Sequence, residues 1–582
     1  MKKLMLGNEA FARGLYEAGC KFVSSYPGTP STEITEFAAK YPEIYAEWAP
    51  NEKVAMESAF GACLSGRRSF CGMKHVGLNV AADPLFTISY TGVNAGMLIA
   101  VADDPSMHSS QNEQDSRHYA IAAKLPMLEP SDSAEVQSFV KEGYALSEKY
   151  DTPVIIRMCT RIAHAQSIVE PVDRIEPEDK AYEKNPQKYI MTPANAKKKH
   201  PIVEERTKAL AQLAESCCFN RVEEGDSTDI GFITSGTSYQ YIKEVFGSKY
   251  PVLKIGMVNP LPEKLILGFA NSVKRLIVVE ELDGILESHC KGLGLSVEGK
   301  SIFGYIGEFS QSIIREKLHI SPAETIQANL GEIPGRPPIM CAGCPHRGLF
   351  YSLKKRKVTV LGDIGCYTLG AAAPLNALDT TVCMGASVSG MHGFLKGGTE
   401  GNDANTACVI GDSTFIHSGV TGLINAAYNE SNGTVIILDN SITGMTGHQQ
   451  NPTTGFNLKG DPCTKIDLET LCRSIGVRRV RVVDPYDLKA CDDAIKEELA
   501  SGELSVIISR RPCALLKYVK HPGPIPVDSE KCVGCRACMQ IGCPAIRIEN
   551  KKAIIDTTLC TGCGICTQLC KTGALKMHKE EK

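Results

Sequence analysis

This chain lacks three features that would narrow its role at once. It has no excess charge of one sign: 63 basic residues face 66 acidic ones, a formal charge of -3. That balance gives no field to draw in nucleic acid or a membrane surface, and no basic stripe interleaved with aromatic residues occurs. It has no apolar run near the roughly 20 residues that a membrane span needs. Its opening, MKKLMLGNEAFARG, holds two lysines but few apolar residues before Glu9 and Arg13, so no export signal is read there. With 43% hydrophobic residues over 582 positions, the composition is that of a soluble, globular, cytoplasmic chain of about four domains.

Cysteine is what the chain has in quantity, 24 residues in all. Without an export signal, so many thiols point to metal or cofactor chemistry rather than disulfides. Most of those outside the C-terminal region read as small buried hydrophobes. Eight gather near the C-terminus in two runs. Cys532, Cys535, Cys538 and Cys543 are separated by two, two and four residues, and Cys560, Cys563, Cys566 and Cys570 by two, two and three. This is the spacing of two-cluster bacterial ferredoxins, in which three cysteines of one run and the last of the other hold each [4Fe-4S] cluster. The reading assigns Cys532, Cys535, Cys538 and Cys570 to one cluster, and Cys560, Cys563, Cys566 and Cys543 to the other. Zinc sites would use pairs rather than triplets. The extra residue before Cys543 leaves a three-iron cluster open at that corner.

Upstream, short apolar runs alternate with helical patterns through residues 1–180, with strands read at 22–25, 69–73, 96–102 and 153–158. Such alternation predicts a parallel α/β sheet. Residues 181–225 are charged and read as a connecting helix; 226–330 reads as a second α/β unit with strands at 229–234, 252–255 and 276–280. A linker dense in proline and glycine at 331–338 precedes a third α/β unit over 340–515, with strands at 358–361, 407–410, 435–438 and 504–508. The cysteine module fills 522–582. The fold class is multidomain α/β with a C-terminal two-cluster, ferredoxin-like α+β module.

In the third unit, one strand runs into Gly411-Asp412-Ser413 and the next into Asp439-Asn440. Polar groups at the carboxyl ends of neighbouring parallel strands are where such sheets bind ligands. The carboxylate of Asp412 and the amide oxygen of Asn440 are hard ligands suited to Mg²⁺, which completes its shell with phosphate oxygens and water. Gly411 would let backbone approach a phosphate, at the N-terminus of the helix that follows.

GDS at 411–413 with DN at 439–440 resembles the thiamine diphosphate motif, with Ser413 for its last glycine and Asp439 for its first asparagine. The longer strings GDSTFIHSG and ILDNSITGMTGHQ, with CAGCPHRG at 341–348, resemble the large subunits of indolepyruvate:ferredoxin oxidoreductases, within the 2-oxoacid:ferredoxin oxidoreductases. The resemblance spans essentially the whole chain. It implies a thiamine pyrimidine-binding domain over 1–180, a transketolase-C-terminal-like domain over 226–330, a thiamine diphosphate-binding domain over 340–515 and a 2x[4Fe-4S] domain over 522–582. It also implies a third protein ligand for Mg²⁺, the backbone carbonyl of Ile442.

The same resemblance implies a glutamate that protonates the pyrimidine ring: Glu52 in NEKVAMESAFG, with Glu57 on the same helix as the alternative. The loop Tyr26-Pro-Gly-Thr-Pro-Ser31 is similar to the family's substrate loop, which makes Thr29 a partner for the substrate carboxylate. Lys74 and His75 follow a strand end and would face the same cleft. Pyruvate-using relatives carry an arginine after the strand that here ends IAVADD at Asp104; this chain has none, so its carboxylate recognition differs. Cys341, Cys344, Cys366 and Cys513 are placed like the ligands of a further cluster in relatives, and free thiols remain the alternative.

The implied activity is oxidative decarboxylation of indolepyruvate and other arylpyruvates with CoA to arylacetyl-CoA, CO2 and reduced ferredoxin. A smaller beta subunit in a heterotetramer is the implied partner. Another 2-oxoacid class, a non-oxidative thiamine decarboxylase and a pure electron carrier are the competing readings. The decarboxylase leaves the cysteine module without a purpose, and the carrier leaves GDS and DN without one.

Overall fold

The computed structural model describes residues 1–178, 180–323, 331–398 and 405–577, so the ends of the segments 226–330 and 522–582 lie outside the described residues. The chain forms two compact units, Met1–Asn329 and Leu330–Lys582. Among the described residues, no helix is long and apolar enough to cross a membrane.

The strands of the first unit are β1 (Lys3–Leu6), β2 (Phe22–Ser25), β3 (Tyr45–Trp48), β4 (Ser69–Lys74), β5 (Met97–Asp103), β6 (Met127–Leu128), β7 (Val154–Cys159), β8 (Gln166–Val169), β9 (Arg221–Glu223), β10 (Gly231–Thr234), β11 (Val252–Lys254), β12 (Met257–Asn259) and β13 (Leu276–Val279). Its main sheet has seven strands in the order β12-β6-β7-β5-β4-β2-β3. Only β12 runs antiparallel there. The central strands β4, β5 and β7 are buried at every position, as expected of parallel strands covered on both faces. The flanking helices are started by side chains. Asn51 Oδ1 accepts from the Val54 amide at 2.9 Å to cap Glu52–Leu64, and Asp132 Oδ1 accepts from the Glu135 amide at 2.8 Å to cap Ser133–Tyr150.

The second α/β segment is bonded to the first rather than merely adjacent. Its strand β12 extends the first sheet, and one apolar core runs from Ile99 and Ile155 to Leu253 and Ile255. Buried charges cross the same boundary: Arg117, held by Asp115, pairs across it with Glu280 at 2.6 Å, and Lys254 with Glu135 at 2.5 Å. Removing one partner of such a pair strands a buried charge, at about 3–5 kcal/mol. The connector read as one helix over 181–225 differs. It is helical only at Pro186–Tyr189 and Pro193–Ala214, and its end becomes β9, which pairs antiparallel with β11.

The second unit carries β14 (Thr359–Leu361), β15 (Thr406–Gly411), β16 (Thr434–Asp439), β17 (Arg479–Val483), β18 (Ser505–Arg510), β19 (Ile546–Glu549) and β20 (Lys552–Ile555). The first five form a parallel sheet in the order β14-β15-β16-β18-β17. That register sets the ends of β15 and β16 side by side, with Gly411 opposite Leu438. The cysteine module has the antiparallel hairpin β19-β20 and two short 3₁₀ turns, Ala537–Ile541 and Ile565–Leu569. Ile541, Ile546, Ile565 and Leu575 form its small core, which continues onto Leu488 and Tyr486 of the preceding domain.

Candidate functional site

In the second unit, Asp412 leaves the end of β15 fully buried. Its Oδ2 accepts from Thr453 Oγ1 at 3.0 Å and from Asn451 Nδ2 at 3.5 Å. Burial, helped by the nearby Asp439 carboxylate, pushes the Asp412 carboxyl up to about 7. A cation at this point would restore its charge. The Asn440 amide supplies the geometry for one. Its oxygen side faces two other oxygens, the Ile442 carbonyl at 2.7 Å and Asp412 Oδ1 at 3.2 Å. With the amide turned over, its nitrogen would donate to both. As an oxygen it completes a nest of three acceptors, with spacings close to the edge of a Mg²⁺ octahedron, about 2.9 Å for bonds of about 2.1 Å. The residues present therefore fit a small divalent cation.

Asp439, adjacent in sequence, does a different job. Arg510 Nε donates to it at 2.8 Å, and its Oδ1 accepts from the Ser441 amide at 3.2 Å, which fixes the turn that aims Asn440. Ser413 Oγ accepts from Thr443 Oγ1 at 2.9 Å and ties the two strand-end loops together. Packing also demands a glycine at 411: a Cβ there would lie 2.6 Å from the Tyr367 ring.

The cysteine module arranges its eight thiols in two groups. A cavity is lined by Cys532, Cys535, Cys538 and Cys570, together with Val533, Ile548 and Ala553. In the second group burial, with Cys563, Cys543 and Cys560 nearby and Cys538 of the first group adding to it, pushes the Cys566 thiol up to about 12. Thiols held together in this way favour a ligand that takes them as thiolates. A third group lies in the thiamine-type domain, where Cys341 and Cys366 both act on Cys344, and Cys513 and Cys341 on Cys366. Burial is the larger cause in each case, lifting Cys344 to about 12 and Cys366 to about 11.

In the first unit, Glu52 is the first residue of its helix and is buried. A Cβ on Gly77 would fall 2.6 Å from Glu52 Oε1, so the carboxylate rests on the glycine of the short helix His75–Val80 that follows β4. Glu57 is exposed and pairs with Lys53. The loop after β2 packs onto the same region. Ser31 Oγ donates to Gly28 O at 2.8 Å, Thr29 is partly exposed, and a Cβ on Gly28 would lie 3.0 Å from Lys74 Cβ. Lys74 Nζ donates to Ser109 O at 2.6 Å, and burial lowers its pKa to about 8, opposed by Asp104. His75 is buried and its Nε2 lies 3.3 Å from Asn112 O. Among the described residues its Nδ1 has no partner, and burial pushes its pKa down. Asp104, where relatives are expected to carry arginine nearby, accepts from Ser110 Oγ at 2.5 Å and Thr160 Oγ1 at 2.7 Å.

Three domain families match the chain in this order. Residues 13–215 match "Pyruvate flavodoxin/ferredoxin oxidoreductase, thiamine diP-bdg". Residues 363–509 match "Thiamine pyrophosphate enzyme, C-terminal TPP binding domain", and 553–576 match "4Fe-4S binding domain". Proteins named indolepyruvate oxidoreductase subunit IorA are similar over almost their whole length. That of Archaeoglobus fulgidus is 41% identical, covering 99% of this chain and 98% of its own. That of Methanothermobacter thermautotrophicus is 39% identical over 99% and 97%, and that of Pyrococcus horikoshii 39% over 100% and 97%. The chain belongs to the IorA family. It is an oxidoreductase subunit with thiamine diphosphate-binding domains and a 4Fe-4S module.

Within this IorA-family chain, some site residues escape a sequence reading. Asn451 and Thr453, which hold Asp412, lie in the run NPTTG, whose only signal is a polar turn. Asp363, at the end of β14, is wholly buried. It accepts from the amides of Gly385 at 2.9 Å and Ser387 at 3.0 Å, anchoring the start of the helix Ala386–Gly397. Arg347, in CAGCPHRG, reads as an ordinary helix charge and is in fact buried among backbone carbonyls.

Proposed function

We propose that this chain is the catalytic large subunit of an enzyme that oxidatively decarboxylates indolepyruvate and other arylpyruvates. CoA takes up the acyl group and a ferredoxin accepts the electrons. The observation that supports this best lies within the second unit: three converging oxygens, from Asp412, Asn440 and Ile442, on the same compact body as two four-cysteine groups. When bound, thiamine diphosphate supplies the carbanion that attacks the 2-oxo carbon and holds the electrons left after CO2 departs.

In this reading Asp412, Asn440 and the Ile442 carbonyl would hold Mg²⁺ and through it the diphosphate. Glu52 would give its proton to the pyrimidine ring, the general acid–base task of a buried carboxyl. Thr29 would donate to the substrate carboxylate. His75, with its Nε2 directed at Asn112 O, would face the same cleft and present Nδ1 as a hydrogen-bond acceptor. Lys74, beside the Thr29 loop, would supply the positive charge that no arginine supplies after β5. Cys532, Cys535, Cys538 and Cys570 would hold one [4Fe-4S] cluster, and Cys543, Cys560, Cys563 and Cys566 the other; Cys341, Cys344, Cys366 and Cys513 could hold a third. A cytoplasmic heterotetramer with a smaller beta subunit completes the proposal. The test is CO2 release from indolepyruvate, phenylpyruvate and pyruvate, with CoA and oxidised ferredoxin added or withheld. Turnover should require both and favour the aryl substrates; release that ignores the acceptor would instead indicate a plain decarboxylase.

A further inference from the structure

Arg347 is the anomaly of the second unit. Its guanidinium is buried, yet among the described residues no carboxylate accepts from it. The bonds it makes there go to backbone carbonyls: Nε to Cys341 at 3.0 Å, NH2 to Met340, and NH1 to Ile541 at 3.0 Å and Gly542 at 2.6 Å. A buried cation of this kind is costly unless an anion lies near. Carbonyl dipoles satisfy its hydrogens but not its charge. The ionisable groups around it are thiols, those of Cys344, Cys543, Cys341 and Cys563.

The setting separates the two cysteine groups of the module. Ile541 and Gly542, the carbonyls that Arg347 bridges, immediately precede Cys543. The loop Cys341–Cys344 abuts the other end of the same group. Gly343 sits at φ +68°, and a Cβ there would strike Thr561 Oγ1 at 2.2 Å, between Cys560 and Cys563. Tyr486 Oη donates to Gly343 O at 2.5 Å, while Gln568 Nε2 donates to Tyr486 O at 2.6 Å. The cavity of Cys532, Cys535, Cys538 and Cys570, by contrast, is lined only by residues of the module itself, from Cys532 to Leu575.

We propose that Arg347 is the counter-charge of the cluster held by Cys543, Cys560, Cys563 and Cys566, making it the first acceptor in the module. The proposal rests on the two-cluster reading of those cysteines. Each reduction adds one electron, and so one negative charge, to a four-thiolate cluster that is already anionic. A fixed cation beside one cluster stabilises its reduced form and raises its midpoint potential relative to the cluster that lacks one. Electrons released in the thiamine-binding domain would then enter at the cluster beside Arg347. They would leave by the cluster of Cys535, which is exposed and whose cavity is lined by residues of the module itself.

The test is an anaerobic redox titration, followed by electron paramagnetic resonance, on the whole enzyme. Arg347→Gln is the deciding variant, because it removes the charge while keeping one amide group that can donate to the carbonyls. For the two clusters of the module, the expected result is a more negative midpoint for one and an unmoved midpoint for the other. The altered signature that Cys543→Ser produces identifies which cluster has moved. Arg347→Lys should return the midpoint most of the way to its original value. Two unmoved midpoints with full iron content, or an equal shift of both, would overturn the proposal and leave the two-cluster reading standing. Iron and sulfide for fewer than two clusters in the unmodified enzyme would instead sink the reading beneath it. If Arg347→Gln loses its clusters, Arg347→Lys decides: a midpoint held near the original supports the counter-charge, and loss of clusters there too assigns Arg347 to docking alone.

Discussion

At the scale of single residues, the account turns on two carboxyls that burial has set to different work. Asp412, pushed up to about 7, must lose a proton before it can bind a cation, so proton and metal compete for it. Mg²⁺-dependent binding of thiamine diphosphate should therefore strengthen as pH rises towards 7 and level off above it. Below 7 the affinity should fall by up to about tenfold per pH unit. Asp412→Ala should lower the affinity by at least about 100-fold and abolish the pH dependence, both measurable by titration calorimetry. Glu52 rests on Gly77 instead of a metal. Glu52→Gln should leave cofactor affinity within a few-fold, yet slow hydrogen exchange at the reactive thiazolium carbon by about 10²–10⁴-fold, as proton-exchange NMR would show. Glu57→Gln, at an exposed residue paired with Lys53, should change neither.

At the scale of elements, close packing at the strand ends matters as much as the ligands. Gly411→Ala would drive a methyl group into Tyr367, so it should destabilise the second unit by about 1–3 kcal/mol, read as a lower midpoint in thermal unfolding. That contact also marks where sequence reading stops. Strands β4, β5, β7, β15, β16 and β18 are legible because both their faces are covered, which makes them continuous apolar runs. Strands β3 (YAEW) and β17 (RVRVV) lie at sheet edges, where polar residues break the run, and they escape notice. β6 and β12 are too short to carry any period, and their pairing spans more than 120 residues, which no local pattern records. The GDS and DN turns are legible because their chemistry is local. Asn451 and Thr453 reach the same place through tertiary bonds, and nothing beside them in sequence announces it. The eight terminal cysteines are the most legible part of all, since spacing alone dictates how a short chain can wrap a cluster.

At the scale of the whole molecule, the chain joins a carbon-chemistry end to an electron-transfer end. Within the second unit the joint is physical: Tyr486, Gln568, Leu488 and Arg347 tie the module onto the thiamine diphosphate-binding domain. The IorA-family relatives match along nearly their entire length, so the same two ends run through the family in one polypeptide. The central claim is that electrons taken from a 2-oxoacid reach this chain's own clusters. One measurement tests it directly. The enzyme, loaded with thiamine diphosphate and Mg²⁺ and with its clusters oxidised, is mixed anaerobically with indolepyruvate and CoA, no ferredoxin being present. The account predicts a reduced [4Fe-4S] resonance within a single turnover, in step with CO2 release. Release of CO2 while the clusters remain oxidised would contradict it.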